Sequence, residues 1–166
     1  GERLDDIEHS GAHQTDEVFN NNMKLLQEAL SLSQVEVDVL SFVVIAISKN
    51  EMHHLTEALG QMSHEQIKQT LAKIIGVSAS DITQVLRSDS TLITSGLLRT
   101  DSSASYLCTL FEALDVPHSI RNALNSPHTD AGDILQMFFK KADKATLEIE
   151  DFSHIQADVD LLQRYL

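Results

Sequence analysis

A histidine pair is the first feature of the sequence that could do chemistry. His53 and Glu57 lie one helical turn apart, and His54 stands beside them. Imidazole and carboxylate groups at this spacing can begin a zinc site. The order is not the His-Glu-x-x-His of zinc hydrolases, however, and no second cluster of ligands follows. We therefore interpret these residues as surface or helix-cap residues.

A lone cysteine and a carboxylate cluster are the other chemical candidates. Cys108 has no base near it in the sequence, so we expect a buried, inert thiol rather than a nucleophile. Glu148, Glu150 and Asp151 could suggest the paired acids of a hydrolase, but no apolar pocket is implied there, and we interpret them as a solvated patch. The phosphate-binding loop Gly-x-x-x-x-Gly-Lys-Ser/Thr is absent from the sequence. We predict no catalytic residue, no metal ligand and no cofactor site in this chain.

The composition predicts a mainly α protein with an acidic surface. The chain has 166 residues, 42% of them hydrophobic, with 2 prolines and 1 cysteine. Its net charge of −13 disfavours nucleic acid and anionic lipid as partners, so we expect protein partners. The longest apolar run, Phe42 to Ile47, is too short to span a membrane. A single cysteine and no recognisable secretion leader favour a cytoplasmic location.

Hydrophobic periodicity divides the chain into three parts. Residues 1–14 are polar and weakly periodic, which predicts a flexible N-terminal segment. Residues 15–114 are predicted to form a helical domain, and residues 115–166 a C-terminal helical extension. Within the domain, a capping box at Ser33 and Glu36 precedes a helix that is apolar on both faces. We predict that this helix lies at the centre, because both faces must be covered.

Residues 63–108 have the order of a winged helix-turn-helix unit. Capping boxes at Ser63 and Ser78 begin two helices that a glycine-containing turn separates. Two short extended stretches follow, at 97–99 and 105–107, and we predict that they pair as a small β-hairpin. The predicted fold is therefore a helical bundle containing a winged helix-turn-helix-like unit with a small β-hairpin.

The charge of this unit bears on its function. Its four basic residues are balanced by four acidic ones, so it lacks the positive surface that holds phosphates in DNA-binding proteins. We predict that Thr83, Gln84 and Arg87 point outward from the second helix and, with Arg99, form a candidate partner surface. Protein docking is the leading interpretation. The alternative is a transcription regulator whose winged helix reads DNA through Gln84 and Arg87.

Two further motifs resemble a known family. Leu97-Leu98-Arg99 follows Ser95-Gly96, and the last residues contain Asp151-Phe152-Ser153-His154 and Asp160-Leu161-Leu162-Gln163-Arg164-Tyr165-Leu166. These residues resemble the N-terminal region of a group of bacterial AAA+ ATPases. In that group, a helical domain with a Ser-Gly-Leu-Leu element leads to an Asp-Phe-x-His…Asp-Leu-Leu-x-x-Tyr-Leu helix just ahead of the ATPase core. The similarity covers residues 21–166.

The resemblance implies a function that this chain serves without catalysing a reaction. The family hydrolyses ATP with magnesium in a ring-forming module, which would lie beyond Leu166. ATP and magnesium are then expected only for that module. This chain would recruit a protein substrate or an adaptor, or regulate the ring, and its other partner would be its own ATPase module in cis.

Overall fold

The described part of the protein is mainly helical, with one small sheet. The structure is a computed structural model that describes residues 17–101 and 107–139, apart from the side chains of Asn50, Glu51, His53, Leu55 and Phe138. The helices are α1 (17–30), α2 (Gln34–Ser48), α3 (Asn50–Ala58), α4 (His64–Ile75), α5 (Ala79–Val85), α6 (Thr91–Thr94), α7 (Leu110–Ala113), α8 (His118–Leu124) and α9 (Ala131–Phe138). The strands are β1 (Arg99–Thr100) and β2 (Leu114–Asp115), which pair antiparallel. Across the described ranges, no helix is both long and apolar enough to cross a membrane.

Helix α2 lies at the centre of the domain, as predicted. The Ser33 hydroxyl accepts a hydrogen bond from the Glu36 backbone N–H, and the Glu36 carboxylate accepts one from the Ser33 backbone N–H, which completes the capping box. Val39, Leu40 and Val43 are at most 1% exposed. Helices α3, α4 and α5 all contact α2. Burial of its apolar faces explains why so hydrophobic a helix is stable here.

Helices α4 and α5 form a tight corner against α2. Capping boxes at Ser63 and Ser78 begin the two helices, as the sequence predicts. Gly76 ends α4 with a φ of 83°, a left-handed conformation that glycine adopts without steric penalty. Ile67 of α4 and Ile82 of α5 are at most 2% exposed, so the inner faces of both helices are in the core. The two helices of the predicted helix-turn-helix are therefore present.

The strand pairing differs from the predicted hairpin. Arg99 pairs with Asp115 and Thr100 with Leu114, so the described partner of β1 is β2. Residues 105 and 106 lie outside the described residues, and Leu107 belongs to no strand. The physical reason lies in Thr109, which caps α7 and turns the chain into a helix before β2 begins. The expectation of a small antiparallel pair is confirmed, with Leu114–Asp115 as the described second strand, whereas most of the predicted stretch 105–107 lies outside the described residues.

A single hydrophobic cluster joins the two ends of the described chain. Phe19 and Leu26 of α1 belong to the same buried cluster as Ile120 and Leu124 of α8 and Ile134 of α9. Residues 1–14 and most of the predicted C-terminal extension, from 140 to 166, lie outside the described residues. Helices α1, α8 and α9 therefore pack into the same hydrophobic core as α2, α4 and α5.

Candidate functional site

The outward face of α5 carries two of the predicted partner residues. Thr83 and Gln84 are exposed, whereas Ile82 and Val85 are buried at 0% and 6% exposure. The Thr83 hydroxyl donates to the Ala79 backbone carbonyl at 2.8 Å, so its proton is already used within the helix. The Gln84 side chain makes no hydrogen bond within the described residues, which leaves its amide available to a partner.

Arg87 is exposed, but its charge is already paired. Its Nε donates to Asp89 Oδ1 at 3.0 Å and its Nη2 to Asp89 Oδ2 at 2.7 Å. This is the two-pronged geometry in which a guanidinium and a carboxylate fit best. The Asp89 carboxylate neutralises the positive charge that Arg87 would otherwise offer to a phosphate. Both oxygens of Asp89 are used in this pair.

Arg99 lies on a different element from the other three predicted residues. It is exposed on β1, directly across the sheet from exposed Asp115. The next two residues, Thr100 and Asp101, line a cleft of about 230 Å³ that also borders His64 and Lys68 of α4. Arg99 therefore belongs to the sheet side of the domain, whereas Gln84 borders the cleft described next.

A second cleft, of about 380 Å³, lies between the N-terminal ends of α2 and α6 and the side of α5. We name it the acidic cleft, after the carboxylates among its polar lining residues Glu36, Asp81, Gln84, Asp89, Ser90 and Thr91. No Lys, Arg or His is among the described residues that line it. Because Asp89 is paired with Arg87, the uncompensated negative charge of the cleft comes from Glu36 and Asp81, and it favours cations over anions.

In the described part of the chain, Glu36 and Asp81 each accept hydrogen bonds through only one of their two carboxylate oxygens. Glu36 Oε2 accepts from the backbone N–H and the hydroxyl of Ser33, both at 2.9 Å. Asp81 Oδ2 accepts from the backbone N–H of Ser78 at 3.1 Å and from its hydroxyl at 2.7 Å. Within the described residues, Glu36 Oε1 and Asp81 Oδ1 accept no hydrogen bond. Capping therefore holds both side chains in place and leaves an acceptor on each.

Sequence reasoning missed this convergence. The sequence indicates Glu36 and Asp81 only as members of capping boxes, and Asp89 only as one of the four acidic residues that balance the four basic ones of the unit. The signal was present in part, since the capping boxes of Ser33 and Ser78 each place a carboxylate, Glu36 or Asp81, in the first turn of a helix. What the sequence does not contain is the packing of α2 against α5, which brings Glu36 and Asp81 to one cleft.

The earlier chemical candidates do not assemble into a site in the described residues. Cys108 is 1% exposed, and burial raises the pKa of its thiol, with smaller increases from the nearby Glu112 and Asp101 carboxylates. His54 Nδ1 lies 3.3 Å from Glu57 Oε2 on an exposed helix surface. The His53 side chain and the acids Glu148, Glu150 and Asp151 lie outside the described residues.

The described residues present two surface features and no metal-binding cluster. Among them, no group of three or more His, Cys, Asp or Glu side chains could hold a metal ion. The features left are an exposed helix face at Thr83 and Gln84 and the acidic cleft beside it. In comparisons with known proteins, no protein-family model, no curated protein and no solved structure matches this chain.

Proposed function

We propose that this chain is a non-catalytic domain that recognises a protein substrate or adaptor, or regulates a larger assembly, by protein contact. One observation carries the proposal: two of the three cations of the α4–α5 corner, Lys68 and Arg87, are held in ion pairs within the domain. Lys68 Nζ lies 3.7 Å from Glu65 Oε2, and Arg87 is paired through two bonds with Asp89. Lys73 is the exception and is exposed near the end of α4.

Paired cations favour a protein partner over a nucleic acid. Binding to a phosphate backbone gains most of its affinity from Lys and Arg that release counterions. An arginine already bonded to a carboxylate must give up that pair first, so its contribution to phosphate binding is small. A protein surface is contacted through hydrogen bonds and shape instead, and exposed Thr83 and Gln84 suit such contact.

We further propose that the assembly is a bacterial AAA+ ATPase acting in the cytoplasm. The motifs at 95–99 and 151–166 support this proposal by their resemblance to that family. ATP and magnesium would then belong to a downstream ATPase module, which would also be a partner in cis. The coding sequence after Leu166 tests the proposal, which predicts a Gly-rich loop ending in Lys-Ser or Lys-Thr within about 50 residues. A following sequence without such a loop would contradict it.

The second candidate is a winged-helix transcription regulator. The observation that favours it is the exposure of Gln84 on the second helix of the corner and of Arg87 just after that helix ends, because such proteins read bases with their second helix. A mobility-shift assay at low salt with mixed genomic fragments separates the two proposals. We expect no specific complex from the 166-residue chain. Tight binding that Arg87→Gln abolishes would favour the regulator.

Site-specific photocrosslinking tests the docking surface directly. A benzophenone amino acid is placed at Gln84 in one variant and at Gln136, an exposed glutamine of α9, in the control. After irradiation in cells, we expect a discrete protein adduct from position 84 and none of the same mass from position 136. A nucleic-acid adduct at 84, or identical adducts at both positions, would contradict docking through α5.

A further inference from the structure

A third surface feature, separate from the α5 face and the acidic cleft, is the cleft of about 230 Å³ between α4 and the sheet. We name it the α4–sheet cleft, after the two elements that form its walls. Neither Thr83 nor Gln84 is among the described residues that line it. A ligand here would therefore add a function to the domain that does not depend on docking through α5.

The floor of the α4–sheet cleft is apolar and rigid. Ile67 of α4 and Leu114 of β2 are each 2% exposed, and Ala113 at the end of α7 is 4% exposed. All three belong to the hydrophobic core, so packing fixes the surface that they present to the cleft. An occupant with a hydrocarbon body gains free energy by covering such a floor.

The polar groups around this floor carry both signs of charge, on different walls. His64 and Lys68 lie one helical turn apart at the start of α4, on the same side of the helix as Ile67. Thr100 ends β1, and Asp101 follows it. An occupant therefore meets N–H donors and an ammonium on the helix wall, and a carboxylate with a hydroxyl on the sheet wall.

These groups have hydrogen-bonding capacity to offer. Within the described residues, the His64 ring and the Thr100 hydroxyl make no hydrogen bond. Lys68 Nζ lies 3.7 Å from Glu65 Oε2, which is longer than a hydrogen bond, so its N–H donors stay available to a ligand. Asp101 has other contacts, but a carboxylate offers acceptor positions for about four hydrogen bonds and can accept an ammonium in addition.

A zwitterion matches this arrangement better than a single charge does. Asp101 would repel a phosphate or a lone carboxylate, and Lys68 would repel a lone ammonium. A protein side chain or chain end brings one charge, whereas a free α-amino acid carries a carboxylate, an ammonium and a side chain on one carbon. The cleft has room for about seven waters, which suits a molecule of leucine size.

We infer that the α4–sheet cleft binds a free α-amino acid with an aliphatic side chain. The carboxylate bonds to Lys68 and His64 on the helix wall, and the ammonium bonds to Asp101 and Thr100 on the sheet wall. The side chain covers the apolar floor and excludes water, which strengthens the polar contacts beside it. Because the ligand contacts both walls, its binding links α4 to the sheet and stabilises the folded domain.

Nuclear magnetic resonance titration of the full 166-residue chain tests the inference with a matched ligand series. Leucine is the probe, N-acetylleucine lacks the ammonium, leucinamide lacks the carboxylate, and alanine lacks most of the side chain. We expect leucine to shift the backbone amide signals of Ile67, Lys68, Thr100 and Leu114 in a saturable way. Each of the other three should bind at least about tenfold more weakly, since each loses one of the three contacts.

Two pairs of variants assign each charge of the ligand to a wall. Asp101→Asn should weaken leucine binding about tenfold and leave the weak binding of N-acetylleucine unchanged, because that ligand has no ammonium to lose. Its control is Asp115→Asn, at an exposed position of β2 outside the described lining. Thermal melts of each variant with and without leucine verify folding and report stabilisation by the ligand.

The second pair concerns the helix wall. Lys68→Gln should weaken leucine binding to a similar extent and leave the binding of leucinamide unchanged, because leucinamide has no carboxylate. Its control is Lys73→Gln, at an exposed position of the same helix outside the described lining. Both control variants should bind leucine as the parent chain does.

Several outcomes would overturn the inference. One is the absence of a saturable shift up to about 10 mM leucine, and another is a set of shifts confined to a different part of the domain. Equal binding of leucine and its acetylated or amidated analogue would show that the cleft does not read a zwitterion. Equal weakening by a lining variant and its control would show that net charge, and not the cleft, governs binding. Because the ligand series uses the parent chain, it decides the question even if a variant fails to fold.

Discussion

The side-chain nitrogen of Asn22 on α1 lies 2.9 Å from the backbone carbonyl of Leu124 at the end of α8, 102 residues along the chain. The same nitrogen lies 2.6 Å from the carbonyl of Ser126 and 3.4 Å from that of Ala123. The last carbonyls of a helix have no partner within it. Asn22, which is 0% exposed, supplies that partner from another helix and ties α1 to α8.

Replacing Asn22 should therefore be costly. Asn22→Ala leaves buried carbonyls at the end of α8 without their donor, and we expect a loss of about 2 to 3 kcal/mol in the free energy of unfolding. Urea denaturation followed by circular dichroism measures it. Asn21→Ala is the matched control, because Asn21 is exposed on the same helix. Equal effects of the two substitutions would show that the contact between α1 and α8 does not depend on Asn22.

A substitution at Gly76 should destabilise the α4–α5 corner through the backbone alone. A Cβ added at Gly76 would meet nothing within 4 Å, so no steric clash with a neighbour arises. Its φ of +83° is unfavourable for any residue with a Cβ, and we expect Gly76→Ala to lower stability by about 1 to 2 kcal/mol. Gly76→Asn should lose less, because asparagine tolerates the left-handed conformation better. Thermal unfolding of both variants gives the comparison, and the reverse order would contradict the backbone explanation.

The Cys108 thiol should react slowly in the folded protein. Burial raises its pKa, and Glu112 and Asp101 raise it further, so less thiolate is present at a given pH than in the unfolded chain. Alkylation by iodoacetamide between about pH 7 and 9, followed by mass spectrometry, should be slower in buffer than in urea. Equal rates in the two solvents would show that Cys108 is accessible.

The same shift in pKa has a consequence for stability. Because the pKa of Cys108 is raised in the folded state, folding favours the neutral thiol, and this contribution is fully present below the pKa of the unfolded thiol, about 8.5. It is lost as the pH rises through the folded pKa. Cys108→Ser should reduce the loss of stability between pH 8 and pH 10, and urea midpoints at about these two values measure it.

Breaking the Arg87–Asp89 pair should hardly change stability. The two side chains are 61% and 67% exposed, and exposed ion pairs contribute at most about 1 kcal/mol. We expect Arg87→Gln and Asp89→Asn each to change the free energy of unfolding by less than about 0.5 kcal/mol. Urea denaturation of both variants provides the measurement. A larger loss in either would mean that the pair organises the loop between α5 and α6, and binding data from that variant would then reflect folding.

Local structure could be predicted from the sequence because its causes are local. The capping boxes at Ser33, Ser63 and Ser78 follow from residues three positions apart, and the end of α4 follows from one glycine. The outward position of Gln84 follows from helical periodicity in the same way. The partner of β1 could not be predicted, because strands of two residues carry almost no pattern and Thr109 starts a helix between them.

The sequence by itself determined the helices, their caps, the acidic charge and the near-neutral helix corner, since each depends on residue types and short spacings. Only the tertiary structure decided that Glu36 and Asp81 line one cleft and that Arg99 lies on β1, away from α5. It also decided that Asn22 caps the C-terminal end of α8, about a hundred residues further along the chain. These relationships depend on how α2 packs against α5 and α1 against α8. Such packing is selected by the fit of whole surfaces, which no short stretch of sequence contains.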